Sequence, residues 1–163
     1  IIWYDGDSVD LMLLENNNIK ILQLNSGGGE IDPAFYMSDI IIDYGLDTNV
    51  IGSCESACTT LLLAGEKRTV QKGSWVGFHQ SSWDAESMKS WYLYYKEDDG
   101  WEDEFAFAEW LYTDTQVYIF KNFQYLLERN VNPLFAIETM KAKSDDMWYP
   151  RRKELLAANV ITE

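Results

Sequence analysis

Ser56 and His79 are the side chains whose types and spacing most invite chemistry. The serine lies in VIGSCESAC (Val50–Cys58). The histidine, the only one in the chain, comes 23 residues later in GFHQ. A serine hydroxyl is a weak nucleophile until a neighbouring base takes its proton, and imidazole is the commonest such base. A third feature is the glycine run of LNSGGG (Leu24–Gly29). Three adjacent glycines allow close backbone approach, and consecutive N–H groups in such a turn can hold an anion. Each feature alone has a plainer reading: an N-cap serine, a structural histidine, a tight strand-to-helix turn. The run is neither a G-x-G-x-x-G fingerprint nor a P-loop, which would carry a lysine.

The elements that must position these residues are legible as alternating runs. Ile1–Tyr4 reads as a first strand and Asp5–Asn18 as an amphipathic helix. Ile19–Leu24 reads as a buried strand stopped by Asn25 and the glycines. From Pro33 to about Tyr44 the apolar residues recur at helical spacing, with Gly45 as the C-cap signal. Thr48–Ile51, Arg68–Val70 and Trp75–Phe78 read as strands, with the compact apolar run Ala57–Leu63 between the first two. Strands alternating with helices predict an α/β fold with a largely parallel sheet. In such a sheet ligands collect at the carboxyl ends of the strands. The glycine run, Ser56 and His79 each come after a predicted strand, so all three are expected on one rim. The second half differs. Asp84–Glu104 carries eight acids against two lysines, mixed with Trp91, Trp101 and three tyrosines. Phe105 to about Glu128 repeats at helical spacing and predicts one long helix. Asn132–Lys141 and Lys153–Ala158 read as short helices and Val160–Thr162 as a closing strand.

The 163 residues suit one domain with a real core. A net charge of −14 argues against a nucleic-acid partner, which needs clustered Lys and Arg, and disfavours an anionic membrane surface. No apolar run approaches the ~20 residues that span a bilayer. The chain opens at Ile1 and reads as a fragment or processed chain. Cys54 and Cys58, spaced C-x3-C, are too few for zinc with one distant histidine and wrongly spaced for C-x-x-C redox chemistry. They are expected to be packed thiols, with a disulfide as the alternative. Neither a metal nor a cofactor is expected.

LNSGGG, a helix, a strand, GSCESAC-TTLLLAG and then GFHQ resemble the Clp-type serine peptidases of the Clp/crotonase superfamily. The C-x-S-A-C form resembles an exported or membrane-anchored branch of that group. The likeness spans about Ile19–Gln80, and MWYPRRKELLAANVIT resembles the family's closing segment. The resemblance implies repeated β-β-α units with a mostly parallel sheet in one domain over 1–163, with residues 81–130 as a helical, handle-like insertion used for oligomer contacts. It implies a serine endopeptidase acting on polypeptides, with Ser56 as nucleophile and His79 as general base. The backbone N–H groups of Gly29 and Ala57 would form the oxyanion hole. Asp145 is the expected third triad member and Asp146 the next choice; with neither in reach the site is a Ser–His dyad or inactive. Gly27 stands where the family's turn has proline.

Three other readings compete. A crotonase-like acyl-CoA enzyme would use the same hole for a thioester, but basic residues to meet nucleotide phosphates are lacking. A Ser–Lys pair, as in signal peptide peptidase A-like enzymes, would need Lys67 or Lys72, which a histidine at the expected place makes unnecessary. A non-catalytic scaffold would use the acidic, aromatic Asp84–Glu104 segment to bind a partner.

Overall fold

The computed structural model describes residues 19–163. The strand expected at Ile1–Tyr4 and the helix at Asp5–Asn18 lie outside them. Apolar strand-forming runs and helical repeats alternate along the first half, and they fold as that alternation dictates. In chain order come β1 (Ile21–Ser26), α1 (Ile31–Asp43), β2 (Asp47–Glu55), α2 (Cys58–Ala64), β3 (Arg68–Val70) and β4 (Trp75–Gly77). Four further helices complete the order: α3 (Ala85–Tyr95), α4 (Glu104–Glu128), α5 (Pro133–Glu138) and α6 (Arg152–Ala157). β1, β3 and β4 all pair with β2, and all in parallel. The protein is thus mixed α/β with an open, mostly parallel sheet, as the alternation predicted.

Strand β2 is longer than expected because it changes partner midway. Thr48, Asn49 and Val50 pair with Arg68, Thr69 and Val70 of β3, while Ser53, Cys54 and Glu55 pair with Trp75, Val76 and Gly77 of β4. The break coincides with a bulge against β1, where Leu24 opposes Val50 but Ser26 opposes Cys54. Three β2 residues there face Asn25 alone, whose side-chain oxygen accepts the Ser53 N–H at 3.0 Å. A bulge bends its strand and re-aims the residues beyond it. Here it releases β2 from β3 and delivers its last residues to β4.

The core lies where α2 packs between α1 and β2. Six of the seven residues of CTTLLLA in α2 are buried. A helix of two turns has no stability of its own, so α2 depends on this burial and on its ends. Its C-terminal carbonyls are met by an arginine distant in sequence. Arg129 donates from Nε to the Leu63 carbonyl (2.8 Å) and from Nη2 to those of Ala64 (3.0 Å) and Gly65 (3.2 Å). Arg68 adds a bond from Nη1 to the Arg129 carbonyl at 3.0 Å.

The closing segment does not form the strand expected at Val160–Thr162. Val160 and Ile161 are buried, but the segment meets β3 through one residue: Thr162 donates its N–H to the Arg68 carbonyl (2.9 Å), and its hydroxyl accepts the Arg68 N–H (3.0 Å). A side chain replaces the backbone carbonyl that a ladder would use. Arg152 fixes the same end, donating to the Val70 and Glu163 carbonyls.

The described residues divide into two compact units: residues 19–80 together with Leu126–Glu163, and Ser81–Tyr125. The second unit begins at Ser81, where the insertion was expected to begin, and ends at Tyr125. Within it, α3 begins where Asp84 accepts hydrogen bonds from the Ser87 N–H and hydroxyl, which hold its carboxyl below the ordinary carboxylate range. Its core is aromatic. Trp101 lies 4.9 Å, centroid to centroid, from both Phe107 and Trp110, and Tyr92 packs on Phe107 at 5.6 Å.

Replacing Arg129 with alanine leaves the Ala64 and Gly65 carbonyls without their charged donor and the Leu63 carbonyl with only the longer bond from Arg68 Nη1 (3.4 Å). The expected loss of stability in urea unfolding is about 2–4 kcal/mol, with little change in the dependence on urea concentration. A loss below about 0.5 kcal/mol rules out this anchoring role.

Candidate active site

Ser56 comes directly after β2 and adopts φ 54°, in the left-handed region. A non-glycine residue held there costs about 1–3 kcal/mol and persists where surrounding contacts over-determine it. Three contacts do so. The Ser56 N–H donates to the Gly77 carbonyl of β4 at 3.0 Å. The Ser56 carbonyl accepts both the Thr59 N–H (2.9 Å) and the Thr59 hydroxyl (2.8 Å), starting α2. Cys54 and Cys58, on either side, form a disulfide.

That disulfide corrects the expectation of packed thiols. The sharp turn between strand end and helix start brings the two Cα atoms to 5.2 Å, within bridging range, and both residues are fully buried. The cysteines therefore bracket Ser56 with a covalent clasp.

β4 ends at Gly77, and Phe78 is fixed by an antiparallel bridge to Trp148, each donating to the other's carbonyl at 2.9 Å. Phe78, Phe135 and Trp148 pack as an aromatic trio with centroids 5.1–6.0 Å apart. His79 comes next, and its Nε2 lies 2.7 Å from Ser56 Oγ. The two residues expected on one rim are thus in hydrogen-bond contact, across strands paired in parallel.

The glycine turn lies against the same residues. A Cβ on Gly28, whose φ is +104°, would stand 2.7 Å from Ser56 Cβ, 2.9 Å from the Glu55 carbonyl oxygen and 3.2 Å from the Ala57 nitrogen. Only glycine fits there. The Ser26 hydroxyl accepts the Gly28 N–H at 3.2 Å and shapes the turn. No described residue accepts a hydrogen bond from the N–H of Gly29 or Ala57, the two expected oxyanion donors.

The expected third member is not in place. His79 Nδ1 is buried and has no hydrogen-bond partner among the described residues. Asp145 and Asp146 are both exposed. They sit in a turn closed by the Asp146 N–H donating to the Lys143 carbonyl, and the Asp146 carboxylate turns back to accept the Met147 N–H at 2.7 Å. The geometry is a Ser–His pair.

No protein-family model and no curated protein matches the chain. The site's meaning therefore rests on its geometry. Among the described residues no group of three or more His, Cys, Asp or Glu side chains could hold a metal ion, and no helix is long and apolar enough to cross a membrane.

One cluster beside the serine has no counterpart in the sequence motifs. The Glu55 carboxylate accepts hydrogen bonds from Trp75 Nε1 (2.8 Å) and the Tyr149 hydroxyl (2.9 Å), both at Oε1. The bond to Glu55 raises the Tyr149 hydroxyl above the ordinary phenol range, with burial and the carboxylate's charge adding to it. Tyr149 also packs where a Cβ on Gly77 would stand 2.9 Å from its ring. The usable signal is an acidic residue adjoining the candidate nucleophile; Trp75 and Tyr149 carry none, because only folding brings them there.

Exchanging Asp145 and Asp146 together for asparagine is expected to leave the rate at which Ser56 reacts with a fluorophosphonate within about threefold of wild type. Loss of a working triad aspartate lowers turnover by about 10⁴. A drop of that order in the double variant would restore the triad.

Proposed function

We propose that this protein is a serine hydrolase that cleaves peptide bonds through an acyl-enzyme on Ser56, without metal or cofactor. The observation that carries the reading is the 2.7 Å contact between Ser56 Oγ and His79 Nε2, made at a left-handed strand-to-helix turn under the glycine run. Nucleophilic serines of other hydrolases occupy such strained turns because the turn presents Oγ clear of the sheet.

The steps derive from that geometry. His79 Nε2 takes the Ser56 proton as Oγ attacks the substrate carbonyl. The carbonyl oxygen gains negative charge and meets the N–H groups of Gly29 and Ala57. Losing one such donor in a comparable hydrolase costs about 3 kcal/mol. His79 then gives the proton to the leaving amine, and a water activated by the same imidazole releases the acyl group. For Nε2 to accept a proton, the imidazole hydrogen must sit on Nδ1, where no described residue receives it. A carboxylate there would fix the tautomer and stabilise the imidazolium. Turnover by this pair is accordingly slow beside that of a triad.

The fold proposed for this function is the Clp/crotonase type, with Ser81–Tyr125 as a handle that mediates homo-oligomer contacts. Its support is the run of exposed large side chains in that unit: Tyr94, Phe105, Tyr112 and Phe120 are each more than 60% exposed. Large exposed aromatic side chains suit association sites. The non-catalytic scaffold remains the alternative, since the same aromatics would serve it.

A fluorophosphonate probe should label the wild-type protein on Ser56 and leave Ser56→Ala unlabelled. His79→Ala should label at least about 100-fold more slowly, the usual worth of a general base. A folded wild-type protein that does not label sinks the hydrolase reading and leaves the scaffold. Mass photometry should find assemblies larger than one chain, broken by serine at positions 94, 105 and 120 together; a monomer throughout refutes the handle's role.

A further inference from the structure

We infer that Glu55, framed by Trp75 and Tyr149, is a subsite for a cationic side chain of the substrate, so that the protein selects polypeptides carrying arginine or lysine beside the bond attacked. The inference rests on the peptide-cleaving reading of Ser56 and names its substrate class.

Four observations converge. Glu55 immediately precedes Ser56 at the end of β2. A Cβ on Gly27 would stand 3.9 Å from Glu55 Oε2, which places that oxygen beside the first glycine of the turn. Gly29, whose N–H is a proposed oxyanion donor, lies two residues on, at most about 7 Å along the backbone. A long basic side chain within a residue or two of the scissile carbonyl spans that interval.

The carboxylate is also held but not neutralised. Trp75 Nε1 and the Tyr149 hydroxyl both donate to Oε1, and no described residue donates to Oε2. Neither the Lys67–Glu163 nor the Lys141–Glu138 ion pair involves Glu55. A fixed anion with one free oxygen suits a guanidinium or ammonium donor.

Its two supports are themselves half exposed, Trp75 and Tyr149 at 49% each. They meet the carboxylate by their edges, through Nε1 and the hydroxyl, and so leave Oε2 to a cationic donor. The chain's net charge of −14 favours the approach of basic peptides from a distance.

The test uses Ser56→Ala protein, which cannot turn over, and three fluorescein-labelled alanine-rich peptides. They carry one central arginine, citrulline or glutamate and are titrated by fluorescence anisotropy at about 0.15 M salt. Citrulline keeps the shape of arginine and removes its charge. The arginine peptide should bind about tenfold more tightly than the citrulline peptide and the glutamate peptide more weakly still. Adding Glu55→Gln, whose amide oxygen can still accept from Trp75 and Tyr149, should reduce the arginine-to-citrulline ratio to below about twofold.

An arginine-to-citrulline ratio near one in Ser56→Ala protein overturns the proposal without any further variant. So does a ratio that Glu55→Gln leaves intact, or no binding of any peptide up to about 1 mM. Fluorophosphonate labelling of wild-type Ser56 separates the two claims. Labelling without charge selectivity removes only the cation subsite; selectivity without labelling removes the hydrolase reading, and with it the substrate role of the subsite, leaving only a site that binds basic peptides.

Discussion

The pairing of the end of β2 with β4 carries the site, and its last rung is the hydrogen bond from the Ser56 N–H to the Gly77 carbonyl. That bond fixes the residue after one strand against the last residue of its neighbour. From there the two chain segments diverge, one into the left-handed turn of Ser56 and the other through Phe78 to His79. The 2.7 Å contact of their side chains results from that shared edge. The bulge opposite Asn25 makes the edge available, by moving β2 from β3 to β4. The disulfide, the Thr59 bonds and the glycine turn then hold Ser56 from the remaining sides.

The arrangement is asymmetric around the histidine. Nε2 is engaged, while Nδ1 is buried without a partner among the described residues. A buried unsatisfied ring nitrogen costs about 1–3 kcal/mol. It persists because the Phe78–Trp148 bridge and the aromatic trio set the backbone of the preceding residue, leaving the imidazole little choice of place. Physical constraint on the backbone therefore outweighs satisfaction of one polar atom. The same constraint leaves the proton that general-base catalysis requires on Nδ1 unsupported, which is why the pair is proposed to be a slow catalyst.

Much of this is legible before folding. The short apolar runs place Ser56, His79 and the LNSGGG turn after parallel strands, and a parallel sheet has only one carboxyl edge. The features that stay hidden depend on distances that spacing does not contain. C-x3-C is compatible with packed thiols or a bridge, and the turn at Ser56 decides between them. The bulge in β2 has no marker beyond Gly52, so the apolar pattern ends the strand four residues early. Asp145 and Asp146 lie close in sequence to where a triad acid is sought, but a local turn points the Asp146 carboxylate at its own neighbour. Glu55 carries no motif because its partners are 20 and 94 residues away.

The central claim is the contact between Ser56 and His79, and the chain's single histidine makes it directly measurable. Long-range proton–nitrogen NMR of nitrogen-15-labelled protein reports both ring nitrogens of His79 without assignment ambiguity. The expected result is a clear shift of the Nε2 resonance in Ser56→Ala, with Nδ1 nearly in place. A spectrum of His79 that is the same in wild type and Ser56→Ala would contradict the contact.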